Sequence, residues 1–246
     1  MPSSIPIRKR LEVNRNTWQN KAILRGIYAD YYARMLKLLK SGSSLEIGAG
    51  SGHLNKYNLD ITITDIQVAP WLNVTADAQA LPFKDASFDN IIMLDALHHL
   101  ENTSLFFSEA IRILKPRGRI IMIEPAITPI SWLFYRFMHS EPVNMQQDPF
   151  AEVIKVTNRS PYDGNQALPT ILFCRRYNEF SQRYPELKLS KVQYLSLFAY
   201  PLSGGYRNWS LMPVTFLNLF LRVEDHLLKL VGRLMAFRLL IMLERI

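Results

Sequence analysis

Leu45-Glu46-Ile47-Gly48-Ala49-Gly50-Ser51-Gly52 is the stretch on which the reading of this 246-residue chain turns. An apolar, β-prone lead from Ser44 to Ile47 runs straight into glycine at every second position. Residues without Cβ let a strand turn sharply into a helix while the backbone comes close to a ligand. The dinucleotide fingerprint Gly-x-Gly-x-x-Gly uses glycines in this way. Here the third glycine comes one residue early, and His53 stands where that fingerprint takes Gly or Ala. Glu46 would also add negative charge beside a pyrophosphate. A cationic ligand suits it better.

Upstream, apolar side chains recur at helical spacing from Gly26 to Lys40 (Ile27, Tyr31, Met35, Leu38, Leu39), and Ser41-Gly42 ends the run. Residues 1–25 mix Pro, Ser, Asn and basic residues and read as an arm lying on the domain. Downstream, Ile61 to Thr64 has strand composition, so the helix after the glycine turn must be short. Asp65 follows at the carboxyl end of that strand, where open α/β sheets bind ligands, and a carboxylate there can accept from both hydroxyls of a ribose. Ile91 to Leu94 is a continuous apolar run, as in a strand buried on both faces. A helix is expected over Thr103 to Lys115, then a strand over Arg119 to Glu124. Alternating strands and helices predict a parallel sheet covered on both sides.

Several short motifs occur in fixed order between Leu45 and Glu124. They are Glu-x-Gly-x-Gly-x-Gly at Glu46, Asp77-Ala78-x-x-Leu81-Pro82-Phe83, Ser87-Phe88-Asp89, a strand ending in Leu97-His98-His99, and Arg112-x-Leu114-Lys115-Pro116-x-Gly118. Together they resemble the class I S-adenosylmethionine-dependent methyltransferases of the type 11 family, which includes quinone and sterol methylating enzymes. The resemblance implies S-adenosylmethionine as cofactor and a Rossmann-like, doubly wound α/β fold with a seven-stranded sheet whose last strand is antiparallel. It places Glu46, Gly48 and Gly50 along the methionine part of the cofactor, Asp65 and Ile66 at the ribose end, Asp77 and Ala78 at the adenine, and Asp95 beside the methyl donor. His98 and His99, just past the fourth strand, are the candidate general bases. His139 and Glu141 are further candidates for the same mouth. Arg117 departs from the family's Lys-Pro-Gly-Gly turn.

Beyond Pro125 the resemblance stops. One domain is expected over residues 1–246, its core about 26–125, 170–200 and 238–246. Helical cap insertions are expected at about 126–168 and 200–237, emerging on the cofactor side. A helix is expected around Phe173 to Tyr184, a strand around Lys191 to Leu197, a helix near Thr215 to Met235, and the seventh strand at Arg238 to Glu244. Aromatic and apolar side chains in the insertions suit a small hydrophobic or lipid-linked acceptor, methylated on O, C or N. Arg222, His226, Lys229 and Arg233 share one stripe of the late helix, which could rest on a membrane periphery.

Composition narrows the alternatives. One cysteine, Cys174, excludes an internal disulfide and a cysteine-based metal cluster, so no metal is expected and the expected location is the cytoplasm. No stretch is long and apolar enough to predict a membrane span. A net charge of +8 admits nucleic acid or lipid as partners. The Asn/Asp-Pro-Pro-aromatic motif of exocyclic-amine methylation is absent, which disfavours nucleic acid. Glu46 and His53 disfavour an NAD oxidoreductase. A non-catalytic cofactor-binding scaffold stays open, as do the oligomeric state and the acceptor itself.

Overall fold

The apolar runs form the centre of a seven-stranded sheet in the computed structural model of the chain, which describes residues 7–57, 60–139, 141–151 and 159–246. The strands are β1 (Ser44–Ile47), β2 (Ile61–Asp65), β3 (Val74–Thr75), β4 (Phe88–Leu94), β5 (Leu114–Pro125), β6 (Leu187–Leu195) and β7 (Arg238–Arg245). Their order is β3-β2-β1-β4-β5-β7-β6. β7 runs antiparallel to both neighbours and every other pairing is parallel. The doubly wound α/β class and the antiparallel last strand expected from the sequence are both present.

The helices are α1 (Ile7–Asn20), α2 (Ala22–Leu36), α3 (Thr103–Ile113), α4 (Pro129–Met138), α5 (Leu168–Thr170), α6 (Tyr177–Arg183), α7 (Ala199–Ser203) and α8 (Leu217–Met235). Along β4, Ile91 and Met93 join one apolar layer and Ile92 the other. Both faces are therefore covered, and the strand reads as a continuous apolar run. Phe106 and Phe107 of α3 and Phe180 of α6 are fully buried in the first layer. Burying a phenylalanine contributes about 1.5–3 kcal/mol. Ile27, Tyr31 and Met35 of α2 fill the second layer. Asn102 starts α3 by accepting from the backbone N–H groups of Ser104 and Leu105, at 2.9 and 3.2 Å.

Several sequence expectations need correcting; α3, for one, stops at Ile113 rather than Lys115, and β5 starts at Leu114 rather than Arg119. The supposed arm is helical over Ile7–Asn20, followed directly by α2, which starts at Ala22 rather than Gly26. Gly26 therefore lies inside the helix, where a Cβ would come 2.2 Å from Leu217 Cδ2. Close helix packing, not a helix start, explains that glycine. The helix expected from Phe173 is shorter: a π-helical turn, Ile171–Arg175, precedes α6. The strand expected from Lys191 begins earlier, at Leu187, and stops at Leu195.

Because β7 is antiparallel, β5 and β6 point the same way. The segments that follow them thus leave from the edge at which β1, β2 and β4 also end. The first carries α4, and its stretch 152–158 lies outside the described residues. The second carries α7, a loop at 204–209 and α8.

Candidate functional site

At the carboxyl ends of the parallel strands lies a cleft of about 1370 Å³. Glu46, Gly48, Gly50, Asp65, Ile66, Asp77, Ala78, Asp95, His98 and His99 all line it. Residues spread over 54 positions of sequence are brought together by four strand ends. The wall opposite is made by α1, by α4 and the segment after it, and by residues 200–209. No residue of α8 is on it among the described residues.

The glycine turn has the geometry its sequence implies. Gly48 has φ +69°, and a Cβ there would lie 2.5 Å from Ala96 Cβ, so only glycine fits. Gly50 N–H donates to Asp65 Oδ2 at 2.8 Å, and Gln67 N–H donates to Asp65 Oδ1 at 2.9 Å. These bonds aim the carboxylate at the turn; burial still raises its pKa. Glu46 is 3% exposed, and its Oε2 has no hydrogen-bond partner among the described residues. Burial, with Asp65 nearby, pushes the Glu46 carboxyl up to about 8. A buried carboxyl oxygen left without a partner near the end of β1 fits a cationic ligand. Asp77 Oδ1 accepts from both the backbone N–H and the side-chain amide of Gln79, at 2.9 and 3.0 Å.

Asp95, at the end of β4, is held at φ +55°, an unfavourable conformation for a residue with a Cβ. Its N–H donates to Ile123 O at 2.9 Å. Its carboxylate accepts from Arg238 Nη1 at 2.5 Å. Burial raises the Asp95 pKa, against the pull of Arg238.

The two histidines differ sharply. His98 is buried, with Nδ1 2.7 Å from Glu124 Oε2 and Nε2 3.3 Å from Glu141 Oε2. Glu124 is itself fixed, since its Oε1 accepts from the N–H groups of Ala96 and Leu97 at 2.8 and 2.7 Å. Burial works against charge on the imidazole, but the two carboxylates outweigh it and hold the pKa up at about 10. Both ring nitrogens of His98 thus face carboxylates, an arrangement that favours the charged imidazole over a free base. His99 packs on it with ring centroids 4.1 Å apart; burial, then the His98 charge, brings its pKa down to about 4. Gln166 also donates to Glu141. His98, His99 and Glu141 have nitrogen and oxygen atoms within 4.8 Å of one another, a spacing that could hold a metal ion. The present contacts instead form a clamp around a protonated His98.

Sequence reasoning missed three groups. Helix α1 closes one side of the cleft: Trp18 stacks on His53 at 3.6 Å, and Arg15 Nη1 donates to Ser51 O at 2.7 Å. Lys21 Nζ donates to the carbonyls of Gly205, Arg207 and Trp209 at 2.7, 2.6 and 2.8 Å, and so shapes the loop over the cleft. Arg238, read only as a strand residue, lines the cleft. A basic residue carries no local sequence mark of such long-range contacts.

The fold and the cleft at its strand ends define a Rossmann-like architecture of the methyltransferase kind. A methyltransferase from Archaeoglobus fulgidus, described as S-adenosylmethionine-dependent, superposes with a TM-score of 0.52 at 14% identity, covering 90% of this chain and 94% of that one. Residues 45–122 match the family described as "Methyltransferase domain", so the type 11 resemblance read from the sequence holds for this stretch. A demethylmenaquinone methyltransferase of Streptomyces avermitilis is 30% identical over 133 residues, 52% of this chain and 54% of the relative. A ubiquinone/menaquinone biosynthesis C-methyltransferase of Paracoccus denitrificans is 36% identical over 67 residues, 26% of this chain and 27% of the relative. The chain thus spans about half the length, or less, of these curated relatives.

Proposed function

We propose that this protein is an S-adenosylmethionine-dependent methyltransferase for a small, largely hydrophobic or lipid-linked acceptor. The observation that carries the reading is the buried Glu46 carboxyl, whose Oε2 has no hydrogen-bond partner among the described residues, beside the Gly48–Gly50 turn and Asp65. A buried polar group without a partner is unfavourable, and a cationic amino-acid end placed there would satisfy it. Glu46 and the turn would hold that end, Asp65 the ribose hydroxyls, and Ile66 and Ala78 the adenine faces. Asp77 would accept from the adenine amino group, and Asp95 would flank the methyl donor.

The cofactor supplies a methyl group already activated by its sulfonium. The chain's task is to align the acceptor, exclude water and remove a proton where the acceptor is a hydroxyl. Neutral His99, on the cleft wall, is assigned the proton-accepting role. Charged His98 positions it. α1, α4 and the loop at 204–209 cap the cleft.

Support for an apolar acceptor comes from Phe134, Phe137, Met138, Tyr200 and Trp209 on the cleft wall, and from relatives named for quinone methylation. Exposed Leu219, Val223, Leu230 and Leu234 alternate on α8 with exposed Arg222, His226, Lys229 and Arg233. That pattern suits an interfacial helix on an anionic lipid surface. The test is transfer of a radiolabelled methyl group from S-adenosylmethionine to fractions of a cell extract. Label in the solvent-extractable lipid fraction, lost in His99→Ala, is the expected result. Label confined to nucleic acid would reject the acceptor class. Cofactor binding without any transfer would favour a scaffold.

A further inference from the structure

Arg238 has no role in the cofactor cradle, yet it is the most deeply buried arginine or lysine on the cleft wall among the described residues. It opens β7, and pairing with Pro125 brings it to the strand edge where Asp95 lies. It is 4% exposed. A guanidinium has five N–H donors in a planar fork that matches a carboxylate with two parallel bonds. Here Asp95 receives a bond to Oδ1 only from Nη1, and Nε has no partner among the described residues. The guanidinium lies over the Tyr200 ring, 4.3 Å from its centroid.

A purely structural role, neutralising Asp95, explains neither the single bond nor the orphaned Nε. Leaving a buried donor unsatisfied carries a desolvation penalty.

Resting on the methyltransferase reading above, we propose that Arg238 receives the ionised hydroxyl of the acceptor, a phenolate or enolate, at the point of methyl transfer. The acceptor hydroxyl gives its proton to His99 or to solvent, and its oxygen becomes the anion facing the guanidinium. Either that oxygen or the carbon conjugated with it forms the new bond to the methyl carbon. The carbon–sulfur bond breaks, and its electron pair returns to sulfur as a neutral thioether. After attack through carbon, loss of the proton on that carbon restores the enol. A cation held beside the oxyanion favours the ionised form before attack.

p-Nitrophenol tests this directly, because its phenolate absorbs visible light. The protein is saturated with S-adenosylhomocysteine and titrated with the probe below the probe's own pKa. Wild type is expected to prefer the phenolate about tenfold, an apparent pKa drop of about one unit. Arg238→Gln is expected to bind both forms alike. Should that variant not fold, Arg238→Lys keeps a cation against Asp95 without the planar fork, and its preference should fall below about threefold. No phenolate preference in wild type, or an undiminished one in a folded variant, overturns the proposal. Calorimetric binding of S-adenosylhomocysteine separates the two readings. Its absence sinks the methyltransferase reading, whereas its presence without phenolate preference sinks only the role of Arg238.

Discussion

Arg117 stands at φ +62°, where the type 11 turn has glycine, and pays for its side chain in backbone strain. A left-handed residue with a Cβ is disfavoured by roughly 1–2 kcal/mol, and part of this is offset by the greater freedom of glycine in the unfolded chain. Arg117→Gly should therefore raise stability by about 0.5–1 kcal/mol, read as a higher urea midpoint; a lower midpoint would contradict the strain. His98 gives a pH-dependent counterpart. Its folded pKa, about 10, lies above the ordinary histidine value, so its stabilisation is complete below that ordinary value and fades as pH rises toward 10. The Glu124 and Glu141 pKa values are lowered despite burial, because His98 sits between them, so their share is lost only in acid. His98→Gln should cost about 3 kcal/mol near neutral pH and clearly less near pH 10, measured by denaturation of both proteins across that range. An unchanging difference would mean that His98 is neutral in the fold. That Asp65 lies at a ligand-binding strand end was legible from strand composition, whereas the positions of Glu46, Asp95 and both histidines came from the family resemblance. Which histidine carries the proton was not legible, since Glu141 reaches His98 only through tertiary folding.

At the scale of elements, α1 and the 204–209 loop, with α4, line the cleft opposite the strand ends. Helix α1 lacked a clear apolar period because it buries few side chains, chiefly Leu11 and Trp18. Its hold on the glycine turn depends on the Trp18–His53 stack and the Arg15 bond. Trp18→Ala should speed amide exchange in α1 about tenfold or more while the amides of β1, β4 and β5 keep their protection. Equal loss in helix and sheet, read by hydrogen-exchange mass spectrometry, would make α1 part of the core. Lys21 ties the loop through three carbonyls, and burial lowers its pKa. Lys21→Met should loosen residues 204–209 in the same experiment and leave α3 and α6 unchanged. By contrast, α3 was legible to within two residues of its end, and β7 was expected at Arg238 to Glu244 from the family resemblance.

For the whole molecule, the alternation of apolar runs with helical segments dictated the doubly wound sheet, and long-range pairing then set the strand order that local pattern does not encode. The same order sends the segments after β5 and β6 to one edge, where α4 exposes Phe137 and Met138 at the cleft. Vesicles containing anionic lipid should therefore sediment the protein, with binding weakened by salt and by Leu230→Asp on α8. Binding that ignores both changes would remove the lipid surface from the proposal. No helix among the described residues is long and apolar enough to cross a membrane.

Calorimetric titration with S-adenosylhomocysteine bears most directly on the cradle formed by Glu46, Gly48, Gly50 and Asp65. One site per chain is expected, weakened about tenfold or more in Asp65→Ala, because each charge-assisted ribose bond is worth about 1.5–3 kcal/mol. No binding of S-adenosylhomocysteine, together with tight binding of NAD, would contradict it.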